Sequence, residues 1–167
     1  MSGELDSHDV VECYHTARKL YPDAHIGINF LDSPRMTIAL LPDDANSLWT
    51  DYGIGYRKQL QQSSSIRNGV NRRNWKGIVF GGYWFKGNNI NFHSDDDILR
   101  KDAVEAEKYF DVLMTSGDGT EIEIAVDRLK KIKSVTTKPL ALASGVNSTN
   151  VGAYLPYVDY FYCGDRY

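Results

Sequence analysis

The sequence predicts an α/β protein built on a parallel sheet, and three observations predict it. Six apolar stretches alternate with six amphipathic or polar ones along the chain, the pattern of βα units joined by right-handed crossovers. Leu140-Ala-Leu-Ala143 is an unbroken apolar run between polar flanks, as in a strand buried on both faces. Several apolar stretches end on small or polar residues just before a helix signal, the place where such folds keep their sites.

The elements follow in order. Ser7-His8-Asp9 reads as a helix start; Val10, Tyr14 and Ala17 share one face and Pro22 ends the element. His25 to Leu31 is a strand whose polar end carries Asn29 and Asp32, followed by a short helix around Met36 to Leu41. Ser47 to Asp51 is a second strand ending on a carboxylate. Residues 55–74 are polar and read as a helix plus a loop, with a turn signal at Asn68-Gly69. Gly77 to Lys86 is a third strand, and its pair Gly81-Gly82 predicts a bulge or a close backbone approach. Gly87 to His93 is loop. Asp95, Asp96 and Asp97 open a helix at its positive dipole end, and Leu99, Ala103, Ala106 and Phe110 form its buried stripe. Asp111 to Gly117 is a fourth strand. Thr120 with Glu123 predicts a capping box for a helix that turns Ile122, Val126, Leu129 and Ile132 inward. After the fifth strand, a short helix from Ser148 to Leu155 leads to a sixth strand, Val158 to Gly164. Two architectures fit: an open doubly wound sheet or a (β/α) barrel. No internal repeat or linker divides the chain, so residues 1–167 are expected to form a single domain.

Composition narrows the function. A chain of 167 residues suffices for one sizeable core. A net charge of −3 argues against a nucleic-acid binder. The run Arg57, Lys58, Arg67, Arg72, Arg73 and Lys76 reads as a solvated basic face. Cys13 and Cys163 are far apart and in no metal spacing, so neither a disulfide framework nor a metal site is expected. Met1-Ser-Gly-Glu-Leu-Asp6 has neither a basic start nor an apolar core, so no leader sequence is expected, and no apolar run approaches the roughly 20 residues a membrane helix needs. A cytoplasmic protein without a membrane partner is expected. No Gly-x-Gly-x-x-Gly turn follows a strand, so no dinucleotide cofactor is expected.

The candidate chemistry lies at the predicted strand ends. Ser144-Gly145 places small residues and backbone amides between a strand and a polar helix start, a recipe for holding an anion; the same pair would serve as a plain turn. Asn29, Asp51, Lys86, Thr115 and Ser116 end different strands. Asp51 is the candidate base, and Lys86 the candidate acid, electrophile or Schiff-base former. His93 could reach the same mouth, whereas His8, His15 and His25 look structural. Tyr52, Tyr83, Trp84 and Tyr167 could line a pocket.

Ile26-Gly-Ile-Asn-Phe-Leu-Asp32, Gly81-Gly-Tyr-Trp-Phe-Lys86, Asp111-Val-Leu-Met-Thr-Ser-Gly-Asp-Gly-Thr120 and Pro139-Leu-Ala-Leu-Ala-Ser-Gly-Val146 together resemble the BtpA-like proteins. These are TIM barrels related to phosphate-binding barrels such as phosphoribosylanthranilate isomerase. The resemblance implies an incomplete parallel (β/α) barrel of TIM type, of about six βα units, without the first two strands and the last helix. It implies a phosphate cup at Ser144, Gly145, Val146, Cys163 and Gly164, with Thr115, Ser116 and Gly117 beside it. Asp165 in the last strand's loop departs from the family pattern and would repel a phosphate, while Arg166 would attract one. The implied ligand is a phosphorylated sugar or nucleotide-like metabolite, handled by isomerase or lyase chemistry. The alternatives are a non-enzymatic assembly or binding factor, as the family's role in photosystem I biogenesis suggests, or a truncated barrel without activity of its own. Open barrel edges would favour a homo-oligomer.

Overall fold

The structure is a computed structural model that describes residues 6–54, 57–85, 95–119 and 121–162. Among them, helices α1 (Ser7–Leu20), α2 (Pro34–Leu40), α3 (Arg57–Arg72), α4 (Asp96–Ala106), α5 (Val126–Val135) and α6 (Val151–Tyr154) alternate with strands β1 (Gly27–Ile28), β2 (Ser47–Ile54), β3 (Ile78–Tyr83), β4 (Val112–Thr115), β5 (Leu140–Ala143) and β6 (Tyr160–Tyr162). All neighbouring strands pair in parallel, and the sheet order is the chain order, β1 to β6. Sequential order with crossovers of one hand puts every helix on one face of the sheet; a doubly wound sheet would reverse its order. The other face is concave. Tyr162 of β6 reaches across it to Trp49 of β2, with ring centroids 4.9 Å apart. The fold is an incomplete TIM-type barrel.

Alternation along each strand divides the core. Leu48, Val79, Leu113, Leu140 and Leu142 pack under the helices with Ile66, Leu99, Phe110, Leu129 and Ile132. Phe80, Phe85, Val112, Met114, Ala141 and Ala143 pack on the concave face with Trp49 and Tyr162. Both faces are apolar, which is why the strands read as continuous apolar runs.

The amino-terminal ends of the strands, the floor of the barrel, carry one device three times. Asn46, Asp111 and Asp159 each stand just before an even-numbered strand. Each donates its backbone N–H to a carbonyl at the start of the preceding strand, that of Ile26 (3.0 Å), Val79 (2.8 Å) or Leu140 (2.8 Å). Each side chain accepts the N–H of that same residue, at 2.9 Å in all three cases. A cation from the preceding odd-numbered helix then holds the accepting oxygen: Arg18 Nη2 at 2.5 Å, Arg67 Nη2 at 3.0 Å and Lys133 Nζ at 2.9 Å. Arg18 also donates to the carbonyls of Pro22, Ala24 and Asp44.

Several expectations change. β1 pairs over only two residues, and β2 runs past Asp51 to Ile54. Asn68-Gly69 is not a turn but lies inside α3, where α2 crosses so closely that a Cβ on Gly69 would sit 2.5 Å from Ile38. The basic segment is not simply solvated: Arg67 holds Asp111, and Arg73 donates to the Ile38 carbonyl and to Asp43. α5 starts later than predicted, at Val126, with no side-chain cap on Ala125. Ile122 is accordingly 52% exposed, and Ile124 takes the buried place; Thr120 lies outside the described residues. α1 is capped by Asp6, whose carboxylate accepts the His8 and Asp9 N–H groups while Asp9 accepts that of Asp6. Among the described residues no helix is long and apolar enough to cross a membrane.

Candidate functional site at the carboxyl ends of the strands

The carboxyl rim is built from departures from regular backbone. In β2, Thr50 pairs with Gly81 and Gly53 with Gly82, so Asp51 and Tyr52 are extra residues bulged out of the ladder. The bulge forms because two glycines face each other: a Cβ on Gly53 would lie 2.3 Å from the Gly82 carbonyl oxygen. The glycine pair thus marks the close approach that the sequence predicts, with the bulge on the opposite strand. Bulges re-aim side chains beside sites, and this one turns Asp51 toward the end of β1. There Asn29 Nδ2 donates to Asp51 Oδ2 at 3.3 Å, and Asn29 Oδ1 accepts the Leu31 N–H at 3.1 Å. Tyr52 donates its hydroxyl to the Asp32 carbonyl at 2.8 Å.

Asn29, Leu31, Asp32, Thr37, Trp49, Thr50, Asp51 and Tyr52 enclose an open recess of about 120 Å³. The Ser7 hydroxyl on one Asp32 oxygen (2.6 Å), then the Ser33 N–H on the other, hold the Asp32 carboxyl below its ordinary range. Burial, then the charges of Asp32 and Asp51, push the Tyr52 phenol up. The Trp49 indole N–H is buried without an acceptor among the described residues. Leu31, at φ 53°, is 80% exposed on the lip.

The ends of the remaining strands are more closed. Thr115 and Ser116 are fully buried; Thr115 Oγ1 donates to the Trp84 carbonyl (3.3 Å) and Ser116 Oγ to the Gly117 carbonyl (2.9 Å). Arg128, from the first turn of α5, reaches the same Trp84 carbonyl and pairs with Asp118 at 2.7 Å. Ser144 and Gly145 both have positive φ, 79° and 71°. Ser144 Oγ accepts the Glu121 N–H at 2.6 Å. The Ile122 carbonyl oxygen would be 2.1 Å from a Cβ on Gly117 and 2.3 Å from one on Gly145, so the loop after β4 rests on both glycines. Asn147 Oδ1 accepts the Thr149 and Asn150 N–H groups and so starts the turn into α6.

Of the residues singled out in the sequence, the structure brings Asn29 and Asp51 together and places Tyr52 beside them. Thr115 and Ser116 form buried wall, and Tyr83 is packing, its hydroxyl donated to the Leu99 carbonyl at 2.7 Å. Trp84 is buried as well. Lys86, His93, Cys163, Gly164 and Tyr167 lie outside the described residues. Sequence reasoning missed Trp49 and Leu31 as recess residues and Arg128 as a rim cation; a lone tryptophan, leucine or helical arginine carries no local signal. Among the described residues no group of three or more His, Cys, Asp or Glu side chains is placed to hold a metal ion.

No protein-family model and no curated protein sequence matches the chain. Solved structures match its shape. The YdjI aldolase from Escherichia coli K12 superposes with a TM-score of 0.65 at 12% identity, over 90% of this chain and 57% of that one. A protein assigned as a phosphonomutase, from Burkholderia cenocepacia J2315, gives 0.70 at 10% identity, over 95% and 71%. A 2,3-dimethylmalate lyase of the PEP mutase/isocitrate lyase superfamily gives 0.65 at 10% identity, over 95% and 60%. The chain therefore spans less than two thirds of the aldolase and of the lyase. At such identities the likeness is one of fold.

Proposed function

We propose that residues 1–167 form one barrel-type domain that binds a phosphorylated small molecule at its carboxyl rim. The chemistry proposed is of isomerase or lyase type, on a phosphorylated sugar or nucleotide-like metabolite. The observation that carries the reading is the Asn29–Asp51 pair at the recess. One Asp51 oxygen is held by Asn29, and the other meets no donor among the described residues. A carboxylate anchored on one side and open on the other suits a general base, which must reach the proton it removes. Lys86, which follows the described part of the β3 segment, is assigned as acid, electrophile or Schiff-base former.

The phosphate is assigned to Ser144, Gly145 and Val146, completed by Cys163 and Gly164. In support, the N–H groups of Gly145 and Val146 meet no acceptor among the described residues, and the left-handed backbone at 144 and 145 brings successive amides around one turn. Ser144 would contribute the shape of the turn, since its hydroxyl accepts from Glu121 and its N–H donates to the Tyr162 carbonyl at 3.4 Å. Thr115, Ser116 and Gly117 serve as the wall behind the cup. The protein is assigned to the cytoplasm, without nucleic acid as partner, and the two edges of the sheet, β1 and β6, are proposed as contacts of a homo-oligomer.

A second reading is a non-enzymatic binding or assembly factor of the BtpA-like kind. It is favoured by the aromatic packing of the concave face, where Phe85 and Tyr162 pack against Trp49 and Phe80 packs against Tyr162.

Thermal unfolding with inorganic phosphate, ribose 5-phosphate or a purine nucleotide separates the two. An enzyme-type rim is expected to bind ribose 5-phosphate, and a ligand at a hundred times its dissociation constant adds about 2.7 kcal/mol of stability. Asp51→Asn should keep that shift and lose turnover. A transition blind to all three ligands favours the binding-factor reading.

A further inference from the structure

The recess beside β1 and β2 differs in chemistry from a phosphate cup. Its lining holds two carboxylates, Asp32 and Asp51, and no lysine, arginine or histidine. The raised Tyr52 phenol reports the same negative field, since after burial its causes are those two charges.

Most side-chain donors in the lining are engaged with the protein itself, the buried Trp49 indole N–H being the exception. Asn29 gives its amide to Asp51, while Thr37 and Tyr52 both give their hydroxyls to the Asp32 carbonyl. Thr50 Oγ1 already accepts the Tyr52 N–H at 3.2 Å. What is left for a ligand is mainly the open oxygen of Asp51, so the ligand must bring donors. Trp49 adds an aromatic wall, a surface that favours cations over anions. A recess of about 120 Å³ has room for a small group, such as the end of a short amine.

We infer that this recess binds a small protonated amine, excludes anions, and receives the non-phosphate end of the ligand. The last clause rests on the rim being the substrate site as proposed above; the preference for an amine rests on the recess alone. The substrate class is thereby narrowed to phosphorylated metabolites that carry a primary amine at the opposite end.

The test is a titration of the ¹⁵N-labelled protein followed by NMR, with the Trp49 indole N–H assigned through Trp49→Phe. The probes are ethanolamine, its neutral counterpart ethylene glycol, acetate and inorganic phosphate. Ethanolamine should shift the Trp49 indole resonance, with an affinity that falls as salt rises and that drops at least tenfold in Asp51→Asn. Ethylene glycol and acetate should leave it in place. Equal affinity for ethylene glycol, a response to acetate, or undiminished ethanolamine binding in an Asp51→Asn protein with an otherwise unchanged spectrum overturns the inference. Inorganic phosphate is read in the same spectra at the Gly145 and Val146 amides. A response there with a silent Trp49 keeps the functional reading and overturns the amine recess. A response to ethanolamine with silent amides keeps the recess and overturns the phosphate assignment.

Discussion

At Gly53 a single methyl group decides whether the site forms. A Cβ there would enter the space of the Gly82 carbonyl, 2.3 Å away, and the two strands would have to part. Gly53→Ala is therefore expected to cost about 2 kcal/mol, within the range for forcing atoms into a packed interior, and to release Asp51 from Asn29. Gly152 in α6 is the control, with nothing within 4 Å of its built Cβ. Gly152→Ala should stabilise by about 0.5 kcal/mol through chain entropy and helix propensity. Urea unfolding of both variants checks the pair. Leu31 is the opposite case: a branched apolar residue held at φ 53° on the lip of the recess. Leu31→Asn, a residue that tolerates this backbone, should gain about 1 kcal/mol if the leucine serves ligand binding rather than folding. The same denaturation experiment reads it.

Among the elements, the repeated floor device makes the sharpest claims. Asp159 accepts the Leu140 N–H and then the Lys133 ammonium, which together hold its carboxyl below the ordinary aspartate range. A carboxyl whose folded pKa lies below its unfolded value stabilises the fold above roughly pH 4, and that contribution fades as pH falls through the folded value. Melting temperature should therefore fall as pH drops below about 4, and Asp159→Asn should flatten part of that limb. Asparagine can keep the bond to Leu140, as Asn46 does for Ile26, so at neutral pH the variant should lose little. Asp159→Ala, which strands a strand-edge N–H, should cost about 1–3 kcal/mol. Melting curves from pH 3 to 7 distinguish the three proteins. This device was invisible in the sequence because its members are one cation, one acceptor and one strand start spread over tens of residues. The α4 start at Asp95 and the stripe Leu99, Ala103, Ala106 were legible because cap and periodicity are local. The α5 start was misread for the same reason: Thr120 and Glu123 make a local capping signal, but the loop after β4 is held down by its packing on Gly117 and Gly145, which only tertiary structure reveals.

On the scale of the whole molecule, the parallel sheet is legible because burial on both faces leaves long apolar runs, but its sequential order is not, since one-handed crossovers fit a doubly wound sheet as well as a barrel. The candidate site is legible by position more than by partners. Asn29 and Asp51 read as strand-end polar residues, yet the bulge that joins them depends on Gly53 meeting Gly82 of the next strand. The two outer strands suggest a further expectation. β6 exposes Tyr160 at 42%, and β1 pairs on one side only among the described residues. Light scattering is expected to give a dimer, and Tyr160→Lys to shift it toward monomer; a monomer at every concentration would remove the edges from the list of contacts.

Because the three polar locks sit at the floor while the recess, the bulge and the glycine-supported turns sit at the rim, mutational tolerance should be sharply uneven along every strand. A library that randomises Leu31, Asp32, Asp51, Tyr52 and Asp118 while sparing Gly53, Gly82, Gly117 and Gly145 would leave all three locks untouched. Such a chain is a natural starting scaffold for laboratory evolution, in which new specificities are selected at one end without spending the stability stored at the other.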